Sequence, residues 1–107
     1  MNVRILGVAR AESLDVADAY DQLTPGLGQR FLEALDAFVA IVASQPRLYP
    51  RVRQRTGGRE VREGLLTGFL FIVVYEVTPA EIVILSVTHG KRRTRPWRQR
   101  LTPPPAP

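Results

Sequence analysis

Cysteine is absent from the chain, so a disulfide framework, a thiolate nucleophile and a cysteine-ligated zinc are all excluded. Histidine is represented once, by His89. One imidazole without thiolates is a poor ligand set for a transition metal, and neither a metal nor a cofactor is expected. No segment approaches the roughly 20 consecutive apolar residues that a membrane-spanning helix needs. The longest apolar stretch, residues 69–77, is interrupted by Glu76 and reads as a strand, so no membrane role is expected. The opening Met1-Asn2-Val3-Arg4-Ile5-Leu6 lacks the basic segment, apolar run and small-residue cleavage site of an export signal, which points to the cytoplasm. There is no Gly-rich phosphate loop, and no spacing that suggests a Ser/His/Asp triad.

What the chain has in excess is arginine, unevenly placed. Residues 1–46 carry three arginines against six carboxylates, a net −3, whereas residues 47–107 carry twelve Lys or Arg against four carboxylates, a net +8, which together give the overall +5. Lys91 is the only lysine. The basic half is suited to a polyanion, to an acidic protein surface or to both, and a merely solubilising surface is equally compatible with composition. At 107 residues the chain is long enough for one core. We expect a single domain over residues 1–101 and a mobile, extended tail over 102–107, where four of six residues are proline.

Along the chain, residues 3–9 form a short β-prone apolar run suited to an opening strand. Over residues 11–23, Val16, Tyr20 and Leu23 recur at helical spacing, with Asp15, Asp18 and Asp21 outside them. Thr24-Pro25 reads as an N-cap followed by a first-turn proline. A second helix is expected over about 25–44, with Leu27, Phe31, Leu35, Phe38 and Val42 on one stripe, ending before Pro46. The short link makes the two an antiparallel hairpin. Past Pro50 the period changes to that of strands: residues 52–55, 59–66, 69–77 and 81–88, separated by Gly57-Gly58, Thr67-Gly68 and Thr78-Pro79-Ala80. Residues 69–77 are apolar on both faces, which predicts a central strand covered on one side by the helices and paired with 81–88 as a hairpin. The fold class expected is α+β, in the order βααβββ.

Three features bear on chemistry. His89 ends the last strand, just ahead of Lys91, Arg92, Arg93, Arg95, Arg98 and Arg100; it suits either a general base or a structural role. Arg51, Arg53 and Arg55 are spaced by two, which on an extended segment puts them on one face, where their repulsion calls for carboxylates or phosphates opposite. Arginine is preferred for such planar contacts, although a GC-rich genome yields the same bias. Trp97, the one tryptophan, is expected to pack back on the sheet or helices.

Four stretches, in this order, resemble the ParE/RelE superfamily of type II toxin–antitoxin toxins: the first helix ending Ala19-Tyr20, then Gly26-Leu27-Gly28-Gln29-Arg30-Phe31-Leu32, then Gln45-Pro46-Arg47-Leu48-Tyr49-Pro50, and last His89-Gly90-Lys91-Arg92-Arg93-Thr94-Arg95-Pro96-Trp97. Gln45 stands where that family usually has Asn. Thr67-Gly68-Phe69-Leu70-Phe71 lacks the proline of the family's Phe-Pro-Tyr. The resemblance implies a strand, two helices and a three-stranded antiparallel meander, held silent by a small acidic, ParD-like antitoxin in a hetero-oligomer. RelE-like ribonucleases carry a late tyrosine, and none follows Tyr75 here. The ending is similar to that of the ParE-like, plasmid-stabilisation branch, whose best-known members poison DNA gyrase. That similarity implies a toxin that is not an enzyme, with Arg62, His89, Lys91, Arg92, Arg93 and Trp97 as its toxicity or target-binding residues. Antitoxin-binding residues would be Arg51, Arg53, Arg55, Tyr20 and Phe31. The alternatives are a ribosome-dependent mRNA endonuclease, using Arg62, His89, Lys91 and Arg92 to orient RNA and stabilise charge at phosphorus, and a degenerate antitoxin-binding or nucleic-acid-binding module.

Overall fold

A computed structural model of the chain describes residues 1–91 and 94–102. The expectations for Arg92, Arg93 and residues 103–107 lie outside the described residues. Strand β1 (Val3–Ile5) leads into helices α1 (Gly7–Leu23) and α2 (Leu27–Ser44), followed by strands β2 (Glu60–Leu65), β3 (Phe71–Val77) and β4 (Ile82–His89) and a 3-10 turn, Pro96–Gln99. The sheet order is β1-β4-β3-β2. β1 runs parallel to β4, while β2, β3 and β4 form the antiparallel meander. The α+β class and the βααβββ order are those expected.

Two elements differ in detail from their sequence pattern. The opening strand stops at Ile5, and helix starts four residues earlier than expected, with the Arg10 N–H donating to the Leu6 carbonyl. α1 buries Ala9, Ser13 and Ala17, while Leu23, on the expected stripe, is 76% exposed. Small side chains let the helix approach its neighbours closely. At the helix junction, Gly26 rather than Thr24 is the N-cap of α2, and it adopts a left-handed backbone. The cap comes from Asp21, whose Oδ1 accepts the Gly28 N–H at 2.8 Å and the Gly26 N–H at 3.2 Å. A carboxylate there also opposes the positive end of the α2 dipole. Gly28 is required: a Cβ on it would collide with the Ala17 carbonyl oxygen and the Asp21 carboxylate.

The sheet is apolar on both faces and each face has its own cover. On one side Phe31, Leu35, Phe38 and Val42 of α2 meet Val73, Tyr75, Val77, Ile82, Ile84 and Val87. An aromatic cluster of Tyr20, Phe31, Phe69 and Phe71, with ring centroids 5.3–6.2 Å apart, closes one end of this core. On the other side Val61, Val74, Val83 and Leu85 are covered by Val52 and Trp97. The register slips between β3 and β4, where Val74 faces Ser86 and Tyr75 faces Ile84. This bulge inserts Leu85 into the far-side core and returns Val87 to the helix side.

Candidate functional site

The loop after Pro50 and the C-terminal arm meet on the face of the sheet away from the helices, where Val52 and Trp97 pack together, while Arg51 shares the face of Arg62 and Tyr75. The expected strand at 52–55 is instead a bent loop: only Arg51 bridges a strand partner, Arg62. The Val52 N–H donates to the Val61 carbonyl and the Glu63 N–H to the Pro50 carbonyl, which fastens the loop to the outer edge of β2. Hydrogen bonding between neighbours turns Val52 inward against Trp97 and leaves Arg51, Arg53 and Arg55 exposed. The C-terminal arm is pinned onto the same face by three anchors. Trp97 is 2% exposed. Arg100 pairs with Glu12 at 2.9 Å and donates to the Leu85 carbonyl. Thr102 donates its N–H to Glu76, whose carboxylate also accepts from Arg59 at 2.8 Å, and Arg59 donates in turn to the Thr102 carbonyl and hydroxyl. Glu76, which interrupts the apolar strand, is thus a buried charge with partners. The arm also brings Arg98 to this face, its guanidinium 6.0 Å from the Trp97 ring centroid.

Five ion pairs engage some of the arginines of the described residues. Arg4, Arg47, Arg59, Arg62 and Arg100 are engaged by Glu81, Glu60, Glu76, Glu60 and Glu12. Glu60 serves two guanidiniums. Burial pushes its carboxyl up, but hydrogen bonds from Arg62 and Arg47 outweigh this and hold it below the usual carboxylate range. Arg51, Arg53, Arg55 and Lys91 are exposed and have no carboxylate partner among the described residues.

Of the residues expected for cleavage chemistry, His89 and Lys91 adjoin at the end of β4, Arg62 lies apart from them, and Arg92 is outside the described residues. Arg62, 13% exposed in its side chain, donates to Glu60 at 2.9 Å and to the Tyr49 carbonyl at 2.8 Å. It is opposite Tyr75, whereas His89 is opposite Phe71, four residues further along β3 and on the strand beyond it. Their backbones are therefore roughly 16 Å apart from strand rise and spacing alone. His89 is exposed, its ring edge-on to Phe71 at 5.3 Å, and its Nδ1 accepts the Lys91 N–H at 3.1 Å. That bond makes Nδ1 an acceptor and leaves Nε2 to carry the proton. A small cavity of about 120 Å³ beside it is lined by Gln54, Glu63, Thr88, Thr94, Arg95 and Trp97.

Of the residues expected at an antitoxin contact, Tyr20 is half-buried and Phe31 is fully enclosed in the aromatic cluster, so Phe31 can act only by positioning its neighbours. A separate apolar groove of about 170 Å³ runs between α2 and β2, lined by Ala34, Ala37, Ile41, Tyr49, Leu65 and Thr67. Sequence reasoning missed the anchoring roles of Glu12, Asp21 and Glu76. Only Glu76 carried a signal, as a lone charge inside an apolar strand.

A helical hairpin on one face of a small sheet, with a basic C-terminal arm on the other, defines a compact α+β class. A solved structure titled "Chromosomal ParDE TA system from P. aeruginosa" has this fold, with a TM-score of 0.62 at 22% identity, over 83% of this chain and 95% of that one. No curated protein matches the chain. A family model described as ParE toxin of type II toxin-antitoxin system, parDE, matches residues 3–94. The chain belongs to the ParE toxin family of type II toxin–antitoxin systems.

Proposed function

We propose that the protein arrests growth by binding DNA gyrase rather than by cutting mRNA, and that a cognate acidic, ParD-like antitoxin silences it in the cytoplasm as a hetero-oligomer. The observation that carries this reading is the separation of Arg62, which is committed to Glu60 and Tyr49 roughly 16 Å from His89. A nuclease that used Arg62 together with His89 would need both at one phosphate. A binding toxin has no such requirement. Its contacts would come from the exposed end of β4, at His89 and Lys91, together with Arg92 and Arg93, with Trp97 anchoring the C-terminal arm.

The antitoxin fits the remaining surface. Val8, Leu14, Ile41 and Leu65 are exposed large apolar side chains on α1, α2 and β2, and a partner that alternates apolar and acidic residues would cover them while engaging nearby cations. Expression of the chain alone in a bacterium carrying a DNA-damage reporter tests the proposal. Growth arrest with reporter induction, relieved by co-expression of the acidic protein encoded beside it, is expected. Arrest in which mRNA decay precedes any induction would sink it.

A further inference from the structure

Glu63 is anomalous in its surroundings. Residues 47–107 hold twelve Lys or Arg and four carboxylates, and three of the four, Glu60, Glu76 and Glu81, are taken up in ion pairs. Glu63 is half-buried and has neither an ion pair nor a side-chain hydrogen bond among the described residues, although Arg95 lines the same cavity. Two further polar side chains on that cavity, Gln54 and Thr88, are half-buried in the same way and also lack a side-chain hydrogen bond among the described residues. Enclosed polar groups are ordinarily hydrogen-bonded, so three of them converging with their capacity unspent by the protein leave it for a ligand.

The cavity is on the sheet face away from the helices, and its floor is Ile72 and Val74. Glu63 is opposite Val74 and Thr88 is opposite Ile72, so their backbones stand on either side of β3, roughly 12 Å apart from strand spacing and rise. Gln54 reaches the cavity from the loop that backbone hydrogen bonds fasten to β2 and that Val52 anchors on Trp97. The site is thus preformed, with polar groups on opposite sides of an apolar floor.

Size and chemistry select the occupant. About 120 Å³ is well below the roughly 300 Å³ at which small-molecule sites begin, so the cavity takes the head of a side chain and not a whole metabolite. A single carboxylate does not satisfy a calcium or magnesium ion, and no group of His, Cys, Asp and Glu among the described residues could hold a metal. Nucleobases are held by stacking on open rings, whereas Trp97 is 2% exposed and the His89 ring is turned to Phe71. What remains is a cationic side chain. An ammonium is a compact, strongly hydrated point charge. A guanidinium is planar, weakly hydrated and has donors on several edges, which suits a carboxylate on one side, a hydroxyl on the other and an apolar floor between them.

We propose that the Glu63 cavity is a socket for the guanidinium of an arginine borne by a partner protein, with Glu63 as its counter-ion and Gln54 and Thr88 as further acceptors. The socket does not rest on gyrase being the target, since any protein partner with an arginine at its interface can fill it.

Trp97 is the one tryptophan and lines the cavity, so its fluorescence reports occupancy, and backbone amide NMR shifts of Gln54, Glu63 and Thr88 give a second reading. The purified chain is titrated with ethylguanidinium chloride, ethylammonium chloride and N-acetyl-arginine amide at a constant ionic strength of about 0.1 M, where exposed charges are screened beyond about 10 Å. Saturable changes are expected with the two guanidinium probes, and a much weaker one with ethylammonium. Glu63→Gln keeps the shape and removes the charge, and should weaken the guanidinium probes by about tenfold or more. Asp36→Asn, at an exposed helix carboxylate, should leave them unchanged. Because Glu63 has no polar partner to lose, its variant should keep the parent's circular dichroism spectrum and urea midpoint, which separates lost binding from lost fold. The proposal is overturned if ethylguanidinium gives no saturable change, if ethylammonium binds as tightly, or if Glu63→Gln binds as the parent does. Refusal of N-acetyl-arginine amide by a chain that takes ethylguanidinium would equally overturn it.

Discussion

Glu12 and Arg100, 88 residues apart in the chain, meet at 2.9 Å and together occupy the backbone of β4 where its strand partner runs out. β1 ends at Ile5, opposite Ile84. Just beyond, the Leu85 carbonyl accepts from Arg100 at 3.0 Å and the Val87 N–H donates to Glu12 at 3.1 Å. A helix side chain and an arm side chain thus do for this edge what a longer β1 would have done, closing it to intermolecular pairing.

Removing either member leaves the other charge partly buried and a backbone group without its partner. Glu12→Ala and Arg100→Ala are each expected to lower stability by about 1–3 kcal/mol. The double variant should cost less than the sum, by at least about 0.5 kcal/mol of coupling. Urea unfolding of the four proteins in this cycle gives the number, and strict additivity would contradict a shared edge cap.

The arm separates into an anchor and an exposed part. Trp97→Ala removes the cover from Val61, Val74, Val83 and Leu85 and should cost about 3–5 kcal/mol, a large share of a small domain's stability. Lys91→Ala, at an exposed position, should stay within about 0.5 kcal/mol of the parent. A Trp97→Ala protein with an unchanged urea midpoint would contradict the packing described.

Glu60 makes stability depend on acid. Its folded pKa is lowered, so the stability it contributes is complete above the ordinary carboxylate value near 4.5 and is lost as pH falls through the folded value. Glu60→Gln removes that titration, and with it the charge that holds Arg62 and Arg47. The variant should be less stable at neutral pH, yet lose less stability than the parent on going below pH 4.5. Parallel losses in the two proteins would mean that Glu60 is not the linked group.

The sheet and α2 were legible because their signals are strong. Leu27, Phe31, Leu35, Phe38 and Val42 hold the helical period over the whole of α2, and β3 and β4 are apolar on both faces. α1 was read from the wrong stripe, since its buried contacts are made by Ala9, Ser13 and Ala17, which carry little hydrophobic weight in a sequence. Val16 and Tyr20, on the larger stripe, are only half-buried. At the site, sequence marked the arginine clusters but could not sort them. Arg59, Arg62 and Arg100 are spent on carboxylates from distant elements, and those pairings depend on sheet register. Phe31 was assigned to a partner contact on the resemblance, although its place on the α2 stripe already pointed to the core in which it is fully enclosed. The bulge at Leu85 has no turn residue to announce it.

The central claim, that this member of the family acts by binding and not by cutting, is tested by adding the purified protein to two systems side by side. One is a gyrase supercoiling reaction; the other is a translating ribosome system in which mRNA 5′ ends are mapped. The account predicts inhibited supercoiling with accumulation of cleaved DNA–gyrase complexes, and intact mRNA on the ribosome. Codon-positioned mRNA cuts with supercoiling untouched would contradict it.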